Sequence, residues 1–85
     1  MNKIELYQFS ALNDDEKAEY VWATGTHIGI IRDTQYSYSL YTTAHFYVEF
    51  ILEKDNIAEI RAFKKGVHLE KYLNRINIVK LYTND

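Results

Sequence analysis

Phe46-Tyr47-Val48-Glu49-Phe50-Ile51-Leu52-Glu53, then Lys54-Asp55-Asn56, then Ile57-Ala58-Glu59-Ile60-Arg61-Ala62-Phe63: this stretch decides the fold. Phe46, Val48, Phe50 and Leu52 alternate with Tyr47, Glu49, Ile51 and Glu53, the period-two signature of a strand. Ile57 to Phe63 is a second such run, with Ala58, Ile60 and Ala62 on its more apolar face. Matching apolar faces sets Phe50 beside Ile60, Val48 beside Ala62 and Leu52 beside Ala58. Lys54-Asp55-Asn56 is then a three-residue hairpin loop, with Asn56 in its left-handed position. The same register makes Glu49 and Arg61 cross-strand neighbours, and Tyr47 a neighbour of Phe63, on the other face.

Upstream, the same period continues. His27-Ile28-Gly29-Ile30-Ile31 reads as a strand closed by the polar turn Arg32-Asp33-Thr34-Gln35. Tyr36-Ser37-Tyr38-Ser39-Leu40 follows, with Tyr36, Tyr38 and Leu40 on one face. Before these strands, Asn13-Asp14-Asp15-Glu16 has the residues of a capping box, with two further carboxylates in the first turn. Ala18, Val21, Trp22 and Gly25 then recur at helical spacing and are expected to face inward, Gly25 ending the helix in a left-handed conformation. Residues 3–11 suit a short helix better than an edge strand. After the strands, Leu69, Tyr72, Leu73 and Ile76 form the apolar stripe of a last helix, and Ile78 to Leu81 could add a strand or dock. The fold class expected is α+β: N-terminal helices, a four-stranded antiparallel meander, and a C-terminal helix packed on one face.

Composition agrees with one small domain spanning residues 1–85. The chain has 85 residues, 47% hydrophobic and 26% charged, which excludes a disordered or low-complexity segment. With no cysteine, there are no disulfides, thiolate metal sites or cysteine nucleophiles. Ten basic against twelve acidic residues give a net charge of −2, too balanced for the strongly basic domain or stripe that marks a phosphate-backbone binder, so nucleic acid is not the expected partner although a local patch is not forbidden. Glu5 interrupts any apolar leader, and no apolar run approaches the roughly 18 residues of a membrane span. A cytoplasmic chain is expected.

Chemistry-bearing patterns are few. His27, His45 and His68 have no spacing that pairs them as metal ligands. Ser37 and Ser39 stand on a strand rather than at a nucleophile elbow, and Gly25, Gly29 and Gly66 are too dispersed to cradle a phosphate. No cofactor is implied, and no catalytic residue is proposed. The outer sheet face is more suggestive. Tyr41, Tyr47, Glu49, Ile51, Arg61 and Phe63 would give it an aromatic surface around a charge pair, the composition of a protein interface. The opposing reading is that helices cover both faces and these residues form a second small core. On the first reading, Tyr41, Tyr47, Glu49, Arg61 and Phe63 bind a protein partner or a second copy of the chain, in a regulatory, immunity-type or adaptor role. The competing function is a small-molecule binder or minor enzyme, with a pocket lined by Tyr36, Tyr38 and Tyr72 between sheet and helices.

Leu40-Tyr41, Phe46-Tyr47-Val48-Glu49, Ile60-Arg61-Ala62-Phe63 and Leu69…Tyr72-Leu73…Ile76, together with Trp22…Gly25, resemble the order found in small bacterial proteins of similar length and unknown activity. The resemblance spans most of the chain and implies a compact α+β domain. It assigns no activity to any residue.

Overall fold

A computed structural model describes residues 3–75. The elements run α1 (Leu6–Ser10), α2 (Asp14–Thr24), β1 (Thr26–Arg32), β2 (Ser37–Thr42), β3 (Tyr47–Glu53), β4 (Asn56–Phe63) and α3 (Val67–Arg75). The strands form one antiparallel sheet in the order β1-β2-β3-β4, so the expected α+β meander is observed. The starts of α1 and α2 have local causes. The Asn13 side chain accepts from the Glu16 N–H at 2.8 Å while Glu16 accepts from the Asn13 N–H at 3.0 Å, relieving two donors that the first turn leaves unpaired. At α1, the Glu5 N–H donates to the Gln8 side chain at 2.8 Å. The β1–β2 turn is set by Asp33, whose Oδ1 accepts from the N–H groups of Gln35 and Tyr36 at 2.8 and 2.7 Å.

The central hairpin keeps the expected pairs Val48–Ala62, Phe50–Ile60, Glu49–Arg61 and Tyr47–Phe63, but its turn differs. Glu53 opposes Asn56, leaving a two-residue turn at Lys54 and Asp55, both at positive φ (51° and 69°). That is the primed geometry whose twist suits a two-residue hairpin. Leu52 opposes Ile57 rather than Ala58, because the register slips by one residue between Ile51 and Leu52 and leaves Ala58 as the bulge. The bulge lets Ile57 take the place on the Leu52 face that simple alternation gives to Ala58.

Helices lie on both faces. Phe9, Ala18, Tyr20 and Val21 from α1 and α2 pack on Phe46, Val48 and Phe50, with Tyr41, Ile60 and Ala62 at the margin. On the opposite face, Tyr72 and Leu69 of α3 pack with Ile31, Leu40, Phe63, Tyr38 and Tyr47. Two expectations for α2 are corrected. Gly25 is extended (φ −89°, ψ 164°), not left-handed, because the chain leaves α2 directly into β1. Trp22 does not face the core: Ala18, Tyr20 and Val21 are the buried positions, and Trp22 is 67% exposed. The expected inward turns of Leu73 and Ile76, and the tail from Ile78 to Leu81, lie outside the described side chains.

Candidate functional site

The sheet presents two different surfaces, and the predicted site residues are divided between them. Register explains the division. Tyr41 opposes Val48, so it shares the face of α1 and α2, whereas Tyr47, Glu49, Arg61 and Phe63 belong to the face under α3. The expected five-residue outer surface is therefore corrected to four residues, with Tyr41 on the reverse. The four are not an open surface either: Glu49 is fully buried and Phe63 is buried beneath the helix. Sequence alternation states which residues share a face but not what lies over it. The covering residues come from α3, about twenty positions further along the chain.

Under α3, the Glu49 carboxylate is a hub. Tyr72 Oη donates to Oε2 at 2.7 Å, Lys71 Nζ stands 2.6 Å from the same oxygen, and Arg61 Nη1 reaches Oε1 at 3.5 Å. A buried charge is tolerated only when paired and hydrogen-bonded, and here three donors meet that need. Arg61 is in turn held by Glu59 at 2.9 Å and donates to His68 Nδ1 at 3.1 Å. A guanidinium has no acceptor, so the His68 ring proton sits on Nε2 in this arrangement. Lys71 also lies 4.3 Å above the Tyr38 ring. Burial, reinforced by the hydrogen bond to Glu49, pushes the Tyr72 phenol far above its ordinary range. Partial burial and the contact with Asp33 raise Tyr38 in the same direction. Among the described side chains, none has a buried nitrogen or oxygen without a partner. The hub is complete, and its chemistry is that of a clamp.

The other face is only half covered. α1 and α2 pack over Phe46, Val48 and Phe50. Toward the β3–β4 turn, a groove of about 270 Å³ remains, lined by Trp22, Ser39, Tyr41, Phe50, Leu52, Asp55 and Ile57. Its aromatic wall is continuous: Trp22 and Phe50 lie 6.2 Å apart, Tyr41 meets Phe50 edge-on at 5.4 Å, and His27 meets Tyr41 at 5.0 Å. Ile57 at the far rim is 41% exposed. Asp55 is the one charged lining residue, and among the described residues it forms no ion pair. Sequence reasoning missed this groove, because Trp22 falls on the apolar repeat of α2 and Ile57 enters the face only through the bulge.

The remaining candidates are dispersed. His27 stacks on Tyr41, His45 approaches Glu5 at 3.5 Å, and His68 faces Arg61. Among the described residues, no group of three or more histidines and carboxylates converges as metal ligands would. The three tyrosines of the expected small-molecule pocket are neighbours, Tyr36 and Tyr38 with ring centres 6.2 Å apart and Tyr38 packed with Tyr72, but their hydroxyls go to different partners: Tyr72 to Glu49, Tyr38 to Asp33 at 3.2 Å, and Tyr36 to Gln35 at 3.2 Å. No helix among the described residues is long and apolar enough to cross a membrane. Compared with protein-family models, curated proteins and solved structures, the chain matches none.

Proposed function

We propose that this chain is a non-catalytic protein-binding module whose working surface is the groove between α2 and the β3–β4 turn. The observation that carries the reading is Trp22. An indole left two-thirds exposed on a capped helix, beside an aromatic-walled groove, is costly to keep in water. Tryptophan and tyrosine flanking a cleft are the side chains that anchor interfaces. The occupant is a protein segment that lays an apolar or aromatic side chain between Trp22 and Ile57 and sets a lysine or arginine against Asp55. The charge follows from Asp55, whose carboxylate has no cation of its own among the described residues and borders a low-dielectric surface. Glu49 and Arg61, expected to bind from the opposite face, serve on this reading to clamp α3.

Selection of a random peptide library on the purified full chain tests the proposal. The expected winners carry an aromatic or large aliphatic residue next to a basic one, and they shift the emission of Trp22, the single tryptophan in the chain. Trp22→Ala and Ile57→Asp lose them, Asp55→Lys reverses the charge preference, and Tyr47→Ala retains them. Winners that bind Trp22→Ala as well as wild type, or an acidic consensus, would overturn the assignment.

A further inference from the structure

The side chains of the groove narrow the kind of cation it takes, an inference that rests on the groove being the binding surface. Ser39 is the starting point. It stands on β2 between Ile30 of β1 and Phe50 of β3, so the side chain opposite it is apolar in both directions. It lines the groove and is only 8% exposed. Buried serines commonly bond to nearby backbone, but β2 is a central strand whose backbone is committed to ladders on both sides. Among the described residues, the Ser39 hydroxyl pairs with nothing. None of their polar side-chain atoms is both sealed from solvent and unpaired, so this hydroxyl keeps its small exposure, at the groove floor. A buried hydroxyl in that state gains a partner only when a ligand enters.

Asp55 brings the charge. Its carboxylate borders the same cavity and, among the described residues, takes part in no ion pair or hydrogen bond. No lysine, arginine or histidine lines the groove, while Trp22, Tyr41 and Phe50 supply aromatic surface. The site thus offers acceptors and rings, and it lacks a cation. An ammonium is compact and strongly hydrated, so an aromatic-walled groove strips water that it holds tightly. A trimethylammonium settles on rings but has no N–H for Ser39. A guanidinium is planar, weakly hydrated and rich in donors, and it stacks on aromatic faces. We propose that the groove is an arginine-selective site: the partner's guanidinium lies on Trp22 and donates to Ser39 Oγ, and Asp55 balances its charge.

The full chain would be titrated with acetyl-Phe-Arg-amide and with its lysine, citrulline and trimethyllysine counterparts, binding being read from Trp22 emission. The arginine peptide is expected to bind tightest of the four. Citrulline keeps the shape and most of the donors without the charge, so its deficit measures the part due to Asp55. Ser39→Ala is expected to weaken the arginine peptide about tenfold, the ratio that one hydrogen bond to a charged group supplies. The same change leaves the lysine and trimethyllysine peptides nearly unaffected. Asp55→Asn, a residue equally suited to positive φ, brings arginine down to the level of citrulline. The four-peptide comparison on the wild-type chain needs no variant to fold. Lysine or trimethyllysine binding as tightly as arginine would overturn the selectivity while leaving the groove as the binding surface. Arginine affinity unchanged by Ser39→Ala would overturn the role of the hydroxyl. If none of the four peptides moves Trp22 emission, the groove reading itself is overturned, and this inference with it.

Discussion

Glu49 shows how much one residue's meaning depends on what covers it. Its pairing with Arg61 was legible in the sequence, since strand alternation and turn length together set that register. Its burial was not, because Lys71 and Tyr72 reach it only through tertiary packing. Removing the carboxylate strands a phenol and two cations. Glu49→Ala is expected to cost about 3 kcal/mol in denaturant unfolding, the low end for a broken buried ion pair. The low end applies because Lys71 and Arg61 are each about one-third exposed and can turn to water. Tyr72→Phe keeps the ring and loses one hydrogen bond to a charged group, about 1.5–3 kcal/mol. It also alters the pH dependence. In the unfolded chain the phenol ionises near pH 10, whereas in the folded chain it keeps its proton to higher pH. Above about pH 10 the unfolded state therefore binds fewer protons, and stability falls as pH rises. Tyr72→Phe is expected to flatten that alkaline decline, leaving the smaller part due to Tyr38, as measured by urea midpoints from pH 8 to 11. An unchanged slope would mean that the phenol is not held at Glu49.

At the scale of elements, the hairpin separates what pattern can and cannot reveal. Alternation located both strands and four of their cross-strand pairs, because burial of one face punishes a one-residue slip along its whole length. The turn was misread because Asn56 is the residue type best suited to positive φ, while the fold uses Lys54 and Asp55 there. The bulge at Ala58 makes that choice possible: it absorbs the residue released when the loop shortens from three to two. A lysine in the left-handed region is strained by about 1 kcal/mol. Lys54→Asn is accordingly expected to raise stability by up to about 1 kcal/mol, and Lys54→Val to lower it, both read as shifts in thermal midpoint. The junction between α2 and β1 behaves in the opposite sense. A Cβ on Gly25 would stand 2.7 Å from the Val21 carbonyl oxygen and 3.0 Å from Val21 Cγ1. Gly25→Ala must therefore displace the end of α2, and with it Trp22. Its expected effect is a fall in thermal midpoint together with a change in Trp22 emission.

For the whole molecule, the central fact is asymmetry: one face of the sheet is sealed by α3 over a charged clamp, and the other is left half open beside an exposed indole. The α+β class, the strand order and most of the core were readable from residue spacing. Which face was free was not, because covering is decided by the packing of short helices whose own patterns are ambiguous. In α2, Trp22 sits on the helical repeat yet points away, since Tyr20 takes the inward place and its hydroxyl accepts from the Ile4 N–H at 3.1 Å. Hydroxyl-radical footprinting of the full chain, read residue by residue by mass spectrometry, tests this division most directly. The account predicts rapid oxidation of Trp22 and protection of Tyr72 and Phe63, with Tyr41 between them. Protection of Trp22 together with ready oxidation of Tyr72 and Phe63 would contradict it.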